Sequence, residues 1–282
     1  MNTKIKICPA IQPYIDYWNE WHKEWYINAS SKPPKLTPIK NWPIPANKND
    51  IWRYFPEPYW GNPNPSELTA VFLNLNPAGG GEGQNIITSA KDPIATYMAK
   101  QQVYSDTVGA LINNPCYPTT DWFIKNRVHW INCLLHQLKK ESDKTIDNII
   151  AGELVPWHTK NVSEIRKYIN ANINLIVNHC IKPLADISQC AALKGVVFCR
   201  GVEIAHALNK VTTEKACYTS TNGFTIHTRT RIHIFEFHGA IFIVFVGRRN
   251  MILPTLTELY NDPKSSSVLS VFDIINNNIK QK

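Results

Sequence analysis

Grouped cysteines are missing from this chain. Its seven cysteines, Cys8, Cys116, Cys133, Cys180, Cys190, Cys199 and Cys217, are scattered, and no two stand as Cys-x-x-Cys. That pattern excludes a zinc ribbon, a dithiol redox motif and the clustered ligands of an iron–sulfur centre. Cys133 and His136 have a ligand-like spacing, but Leu134 and Leu135 separate them and no second pair follows, so they read as core residues. No apolar run is long enough to span a bilayer. The opening Met1-Asn2-Thr3-Lys4-Ile5-Lys6 is too short and too polar for a secretory signal. A Gly-Lys-Ser/Thr phosphate loop is absent, and the glycine spacing does not fit a dinucleotide fingerprint. These absences lead us to expect a soluble, cytoplasmic protein with reduced, buried thiols, no membrane partner, no metal and no cofactor.

What is present is a basic, aromatic chain. Thirty Lys and Arg against 22 Asp and Glu give a net charge of +8, which favours a polyanionic partner such as DNA. The nine tryptophans offer rings for the core or for stacking on bases. Tyr14, Ile15, Trp18, Trp21, His22 and Trp25 recur at helical spacing and make one aromatic face. Docking onto the body of the protein is the expected use of that face. Residues 30–65 are crowded with prolines and carry Trp42, Trp52, Tyr54, Phe55, Tyr59 and Trp60, the composition of an ordered wrap. Residues 1–65 are therefore expected to form a helix and a proline-rich wrap packed on an α/β domain spanning residues 66–282.

Within that domain short apolar runs alternate with helical patterns. Residues 68–75 (LTAVFLNL), 149–155 and 195–200 (GVVFCR) read as buried strands. Residues 224–237 and 240–246 are rich in β-branched and aromatic residues, with His238-Gly239 as a hairpin turn between them. Helices are expected over residues 122–138, 163–180, 202–208 and 265–279. Strands alternating with helices predict a three-layer α/β sandwich with a short, mostly parallel central sheet holding Val71, Ala151, Val196 and Ile241 in neighbouring strands.

Ligands of such sheets bind beyond the carboxyl ends of the strands. The segment Asn74-Leu75-Asn76-Pro77-Ala78-Gly79-Gly80-Gly81-Glu82-Gly83 is placed there by the pattern. Its glycines allow close backbone approach to a ligand, and Asn76-Pro77 makes its start rigid. This stretch resembles the first motif of the uracil-DNA glycosylase superfamily, in the mismatch-specific and single-strand-selective branches that carry Asn-Pro-Gly at that point. The lead-in Pro56-Glu57-Pro58-Tyr59-Trp60-Gly61-Asn62-Pro63 is similar to that of bacterial members. Glu153-Leu154-Val155-Pro156-Trp157-His158, Val196-Val197-Phe198-Cys199-Arg200-Gly201 with Ala205, and Ile241 to Val246 follow in the family's order. The resemblance covers Tyr59 to Pro254.

The resemblance implies an enzyme that flips a base out of DNA and hydrolyses its N-glycosidic bond without a cofactor. Asn76 inherits the role of orienting the attacking water, with a turn-forming role as its structural alternative. The family's last motif, usually His-Pro-Ser, is replaced by Val246-Gly247-Arg248-Arg249-Asn250-Met251-Ile252-Leu253-Pro254. Arg248 or Arg249 would then donate to the departing base or hold a phosphate. Met251 or Ile252 would fill the space of the flipped base, or else pack under the closing helix. Glu153 stands where related enzymes place an Asn. It would accept from an exocyclic amine, activate water, or pair with Arg248 or Arg249. His158 reads as a proton carrier or as a core hydrogen-bonding residue. Asn74, Pro77, Gly79, Gly80, Gly81, Gly83, Arg249, Asn250 and Met251 complete the expected base and DNA contacts. The lost His points away from ordinary uracil repair and toward a modified, damaged or mispaired base, for instance in phage defence. The readings from other classes are an inactive family member that binds nucleic acid or a nucleotide, and a regulatory protein acting through its aromatic extension.

Overall fold

The computed structural model describes residues 8–31, 38–44, 55–61, 70–75, 91–96, 149–158, 162–220, 229–247 and 256–280. In chain order the first elements are α1 (Ile11–Ser30), β1 (Tyr59–Gly61), β2 (Ala70–Asn74) and β3 (Ile149–Glu153). Then come α2 (Val162–Ala171), α3 (Ile173–Ile176), a π-helical turn (Val177–Ile181) and α4 (Lys182–Ser188), followed by β4 (Val196–Arg200) and α5 (Val202–Asn209). The chain continues through β5 (Glu214–Thr219), β6 (Arg231–Phe237) and β7 (Ala240–Val246). It closes with α6 (Leu256–Asn261), a 3-10 turn (Pro263–Ser265) and α7 (Ser266–Lys280).

One seven-stranded sheet runs β1-β3-β2-β4-β7-β6-β5. Its central strands β3, β2, β4 and β7 are mutually parallel, and β1, β6 and β5 extend it by antiparallel pairing. The architecture is α/β with a mixed sheet, and the segments expected to share a sheet do share it. The central strands are apolar throughout because both their faces are covered. Val71, Leu73, Val197, Cys199, Phe242 and Val244 face a core shared with α1, α4 and α5. Phe72, Phe198, Ile243 and Phe245 face the other way and are equally buried, with the Phe72 and Phe198 rings 5.6 Å apart. The C-terminal helices lie toward this second face, where the Tyr218 hydroxyl donates to Asp262 Oδ2 at 3.0 Å. At β4 the chain turns into α5 through Gly201, whose φ of 122° suits glycine alone. The β6–β7 hairpin turns on His238 (φ 52°) and Gly239 (φ 73°), the pair of positive angles that a two-residue hairpin needs.

The aromatic face of α1 docks as its spacing predicts. Trp18 and Trp21 are fully buried, and Trp21 meets Trp157 edge-on at 5.1 Å. Trp18 meets Trp42 of the wrap at 5.5 Å. The wrap also does something its composition does not announce, since its Tyr59–Gly61 stretch joins the sheet as β1. Residues 122–138, expected to be helical, lie outside the described residues, as do Cys116 and Cys133. The helix expected over 163–180 begins at Val162, breaks at Asn172 and resumes through the π turn to Ser188.

Two expectations need correction. Cys8 and Cys190 are not free thiols but a disulfide, their Cα atoms 5.5 Å apart. Cys8 precedes α1 and Cys190 follows α4, and the packing of those helices closes a distance that a sequence separation of 182 conceals. Cys217 is exposed rather than buried, while Cys180 and Cys199 are buried thiols outside that disulfide, as expected. β5 is a strand that the apolar pattern misses. Its residues Glu-Lys-Ala-Cys-Tyr-Thr alternate in burial, as a sheet edge with one wet face does.

Candidate functional site

Parallel pairing fixes which strand ends lie together. Asn74 is registered with Glu153, Leu73 with Cys199, and Arg200 with Phe245. Glu153, Asn74, Arg200 and Phe245 therefore form one row across β3, β2, β4 and β7 at their carboxyl ends. Paired residues point to the same side of a sheet, so the row presents its side chains together. The pairing runs on past the strands, since the Leu154 N–H donates to the Asn74 carbonyl at 2.8 Å and the Val155 N–H to the Leu75 carbonyl at 3.0 Å. Gly201 N–H donates to the Phe245 carbonyl at 3.0 Å, which fixes the exit of β4.

Glu153 is buried, and its Oε1 accepts from Asn74 Nδ2 at 3.3 Å. Of the expected site residues, these two are brought into direct contact. The Glu153 charge also acts on two groups of the helical core. Burial, with Glu153 next, holds the Cys180 thiol well above its usual pKa. The Tyr14 hydroxyl is raised mainly by burial, with Cys180, Tyr59 and Glu153 adding to it.

His158 lies past the same strand, but it is turned into the protein. It is buried, and its Nε2 donates to the Phe55 carbonyl at 3.1 Å. His22 of α1 donates from Nε2 to the neighbouring Pro56 carbonyl at 2.7 Å. Burial lowers the His22 pKa to about 3, against the raising effect of that bond. With the Glu57 N–H on the Pro156 carbonyl (3.2 Å) and the Glu153 N–H on the Pro58 carbonyl (2.8 Å), His158 stitches residues 55–58 to the end of β3, and His22 ties the same stretch to α1. Of the two readings of His158, the geometry supports the core hydrogen bond.

Asn76, Pro77, Gly79, Gly80, Gly81 and Gly83 lie outside the described residues, as do Arg248, Arg249, Asn250, Met251 and Ile252. The described chain reaches both segments from the same edge, through Leu75 after β2 and Gly247 after β7. Two further groups belong to this edge. Arg200 is half-buried in the row, and Glu57 is buried beside the end of β3. The positional argument that selects Glu153 also selects Arg200, a charged residue ending an apolar strand. Nothing in the sequence marks Glu57, whose place depends on β1 pairing with β3.

The arrangement offers a buried acceptor oriented by an amide, a cation in the same row and two chain segments departing beside them. It can hold a polar, planar group at the strand ends. No family model, curated protein or solved structure matches this chain.

Proposed function

We propose that the protein binds a base of DNA at the carboxyl edge of its parallel strands and hydrolyses the N-glycosidic bond. The observation that carries this reading is the Glu153–Asn74 pair, a buried carboxylate on a half-buried amide, in a row with Arg200 where β3, β2 and β4 end. An ionised carboxylate only accepts hydrogen bonds, so Glu153 suits an exocyclic amine such as that of a cytosine or adenine derivative. Asn74 fixes the orientation of its carboxylate. Asn76, just beyond, would orient the attacking water, whose oxygen bonds to the sugar carbon as the bond to the base nitrogen breaks. The base leaves with the electron pair of that bond and takes up a proton. Arg200, with Arg248 or Arg249 from the segment after β7, would stabilise the developing negative charge or hold the flanking phosphate. The net charge of +8 supports a polyanionic partner.

The test is incubation with DNAs that each carry a different modified or mispaired base, followed by mass spectrometry of released bases and of abasic sites. Release of one base class, lost on Glu153→Gln, is the expected outcome. No release from any DNA, together with no salt-dependent DNA binding, overturns the proposal. A second reading is a protein that binds the base without cleaving it, favoured by the engagement of His158 with the Phe55 carbonyl rather than with the strand-end edge. Salt-dependent binding without release distinguishes it.

A further inference from the structure

Away from that edge, three side chains of metal-binding type converge on the antiparallel side of the sheet. The ligand atoms of Glu214, Cys217 and His233 all lie within 4.8 Å of one another. His233 Nδ1 is 2.8 Å from Glu214 Oε1 and 3.6 Å from Cys217 Sγ. The backbone builds this cluster by two devices. Cys217 and His233 are direct cross-strand partners of β5 and β6. Glu214 stands three positions before Cys217, and in a regular strand such residues point to opposite faces. The register shift between Glu214 and Ala216 inserts an extra residue, and Glu214 is turned to the face of Cys217.

We infer that Glu214, Cys217 and His233 form a zinc site that clips the edge strand β5 to β6 and leaves a fourth position open to water. The donor set is a thiolate, an imidazole and a carboxylate, the mixture zinc takes in place of calcium or magnesium. Bonds of zinc to such donors set ligand-to-ligand separations of roughly 3.3–3.8 Å in a tetrahedron. The Cys217–His233 separation already has that length, and the His233–Glu214 separation has to open by about half an ångström. Thiolate and carboxylate together neutralise the dication.

Binding transfers one proton to solvent. The Cys217 thiol, pushed up to about 11 by burial and by Glu214, with Arg231 acting the other way, loses its proton as the zinc–sulfur bond forms. His233 gives up its bond to Glu214 and coordinates through Nδ1 as the Nε2–H tautomer. The site is separate from the glycosidic edge. His233 is registered with Val244 of β7, whose side chain faces the helical core, whereas Arg200 is registered with Phe245, which faces the other way.

The test uses the full chain prepared free of metal. Zinc titrated against a competing chelator should bind in a single equivalent, and cobalt in its place should give a thiolate charge-transfer absorption. Cys217→Ser should abolish that absorption. Cys217→Ser and His233→Ala should each weaken zinc binding by a factor of about 100 or more. Zinc should raise the melting temperature of the parent protein and leave that of Cys217→Ser unchanged. Cys217 is exposed, so its replacement leaves the fold intact and carries the test even if His233→Ala fails to fold. The absence of saturable zinc binding, or equal affinity in the parent and Cys217→Ser, overturns the inference. Neither outcome depends on base release.

Discussion

The two halves of the sheet hold their polar groups in different places. In β2 and β4 of the parallel half, the strand interiors are wholly apolar and polar side chains occur only at the carboxyl ends, at Asn74 and Arg200. In the antiparallel half, β5 and β6 carry Glu214, Cys217, Arg231, His233 and Glu236 along their length, on partly open surface. The difference follows from what covers each half. A strand covered on both faces has no polar position except where it ends, so chemistry collects at the edge. A strand with a wet face can hold functional groups at mid-length, paired across the ladder.

The comparison breaks most readily in the core. Phe198→Ala in the parallel half should cost about 3–5 kcal/mol in urea denaturation. A loss below 1 kcal/mol would mean that the second face is not closely packed. Acid comes next. His22 is neutral in the folded protein, with its pKa lowered to about 3, whereas the unfolded chain takes up a proton near the ordinary value of about 6.5. The stability tied to His22 is therefore complete above that ordinary value and drains away as the pH falls toward 3. Between pH 7 and 4 the loss should be about 3 kcal/mol. His22→Gln, which keeps a donor for the Pro56 carbonyl, should flatten that part of the pH profile. An unchanged profile would remove His22 as the source.

Smaller effects sharpen the contrast. Glu153→Gln should slow base release by about 100-fold or more, some 2.7 kcal/mol, while DNA affinity holds. Equal loss of affinity would mean that the carboxylate acts on bound DNA as strongly before the reaction as during it. Gly152→Ala adds a methyl group 2.7 Å from Leu184 Cδ1 and 2.7 Å from the Tyr14 hydroxyl. The expected cost is about 1–3 kcal/mol, read as a drop in melting temperature. Cys217→Ser in metal-free protein should change stability by less than about 0.5 kcal/mol, the smallest effect of the series.

Much of the parallel half is legible in the sequence because apolar runs and strand ends are local signals. Val71 to Leu73 and Val196 to Cys199 read as buried strands, and the family resemblance points to Glu153 near the end of another. His158 also stands at a strand end, yet it turns inward to the Phe55 carbonyl, a partner distant in sequence. The antiparallel edge is hard to read for the opposite reason. Glu214, Cys217 and His233 follow no ligand spacing, and only a bulge and a cross-strand register gather them. The Cys8–Cys190 link likewise arises from helix packing. The glycine loop, which follows the first family motif, and the arginine pair, which stands in place of the last one, lie outside the described residues.

The pairing of β1 with β3 has a consequence for anyone who trims this protein. A chain shortened to begin after residue 65 would keep β3 but lose its outer neighbour, exposing the backbone groups that Tyr59–Gly61 now occupies. Trp157 would lose the Trp21 ring against it at the same stroke. An unprotected strand flank beside bared indole is a template for self-association. The shortened chain should come out of cells as aggregate, and the N-terminal segment supplied as a separate peptide should restore it to solution.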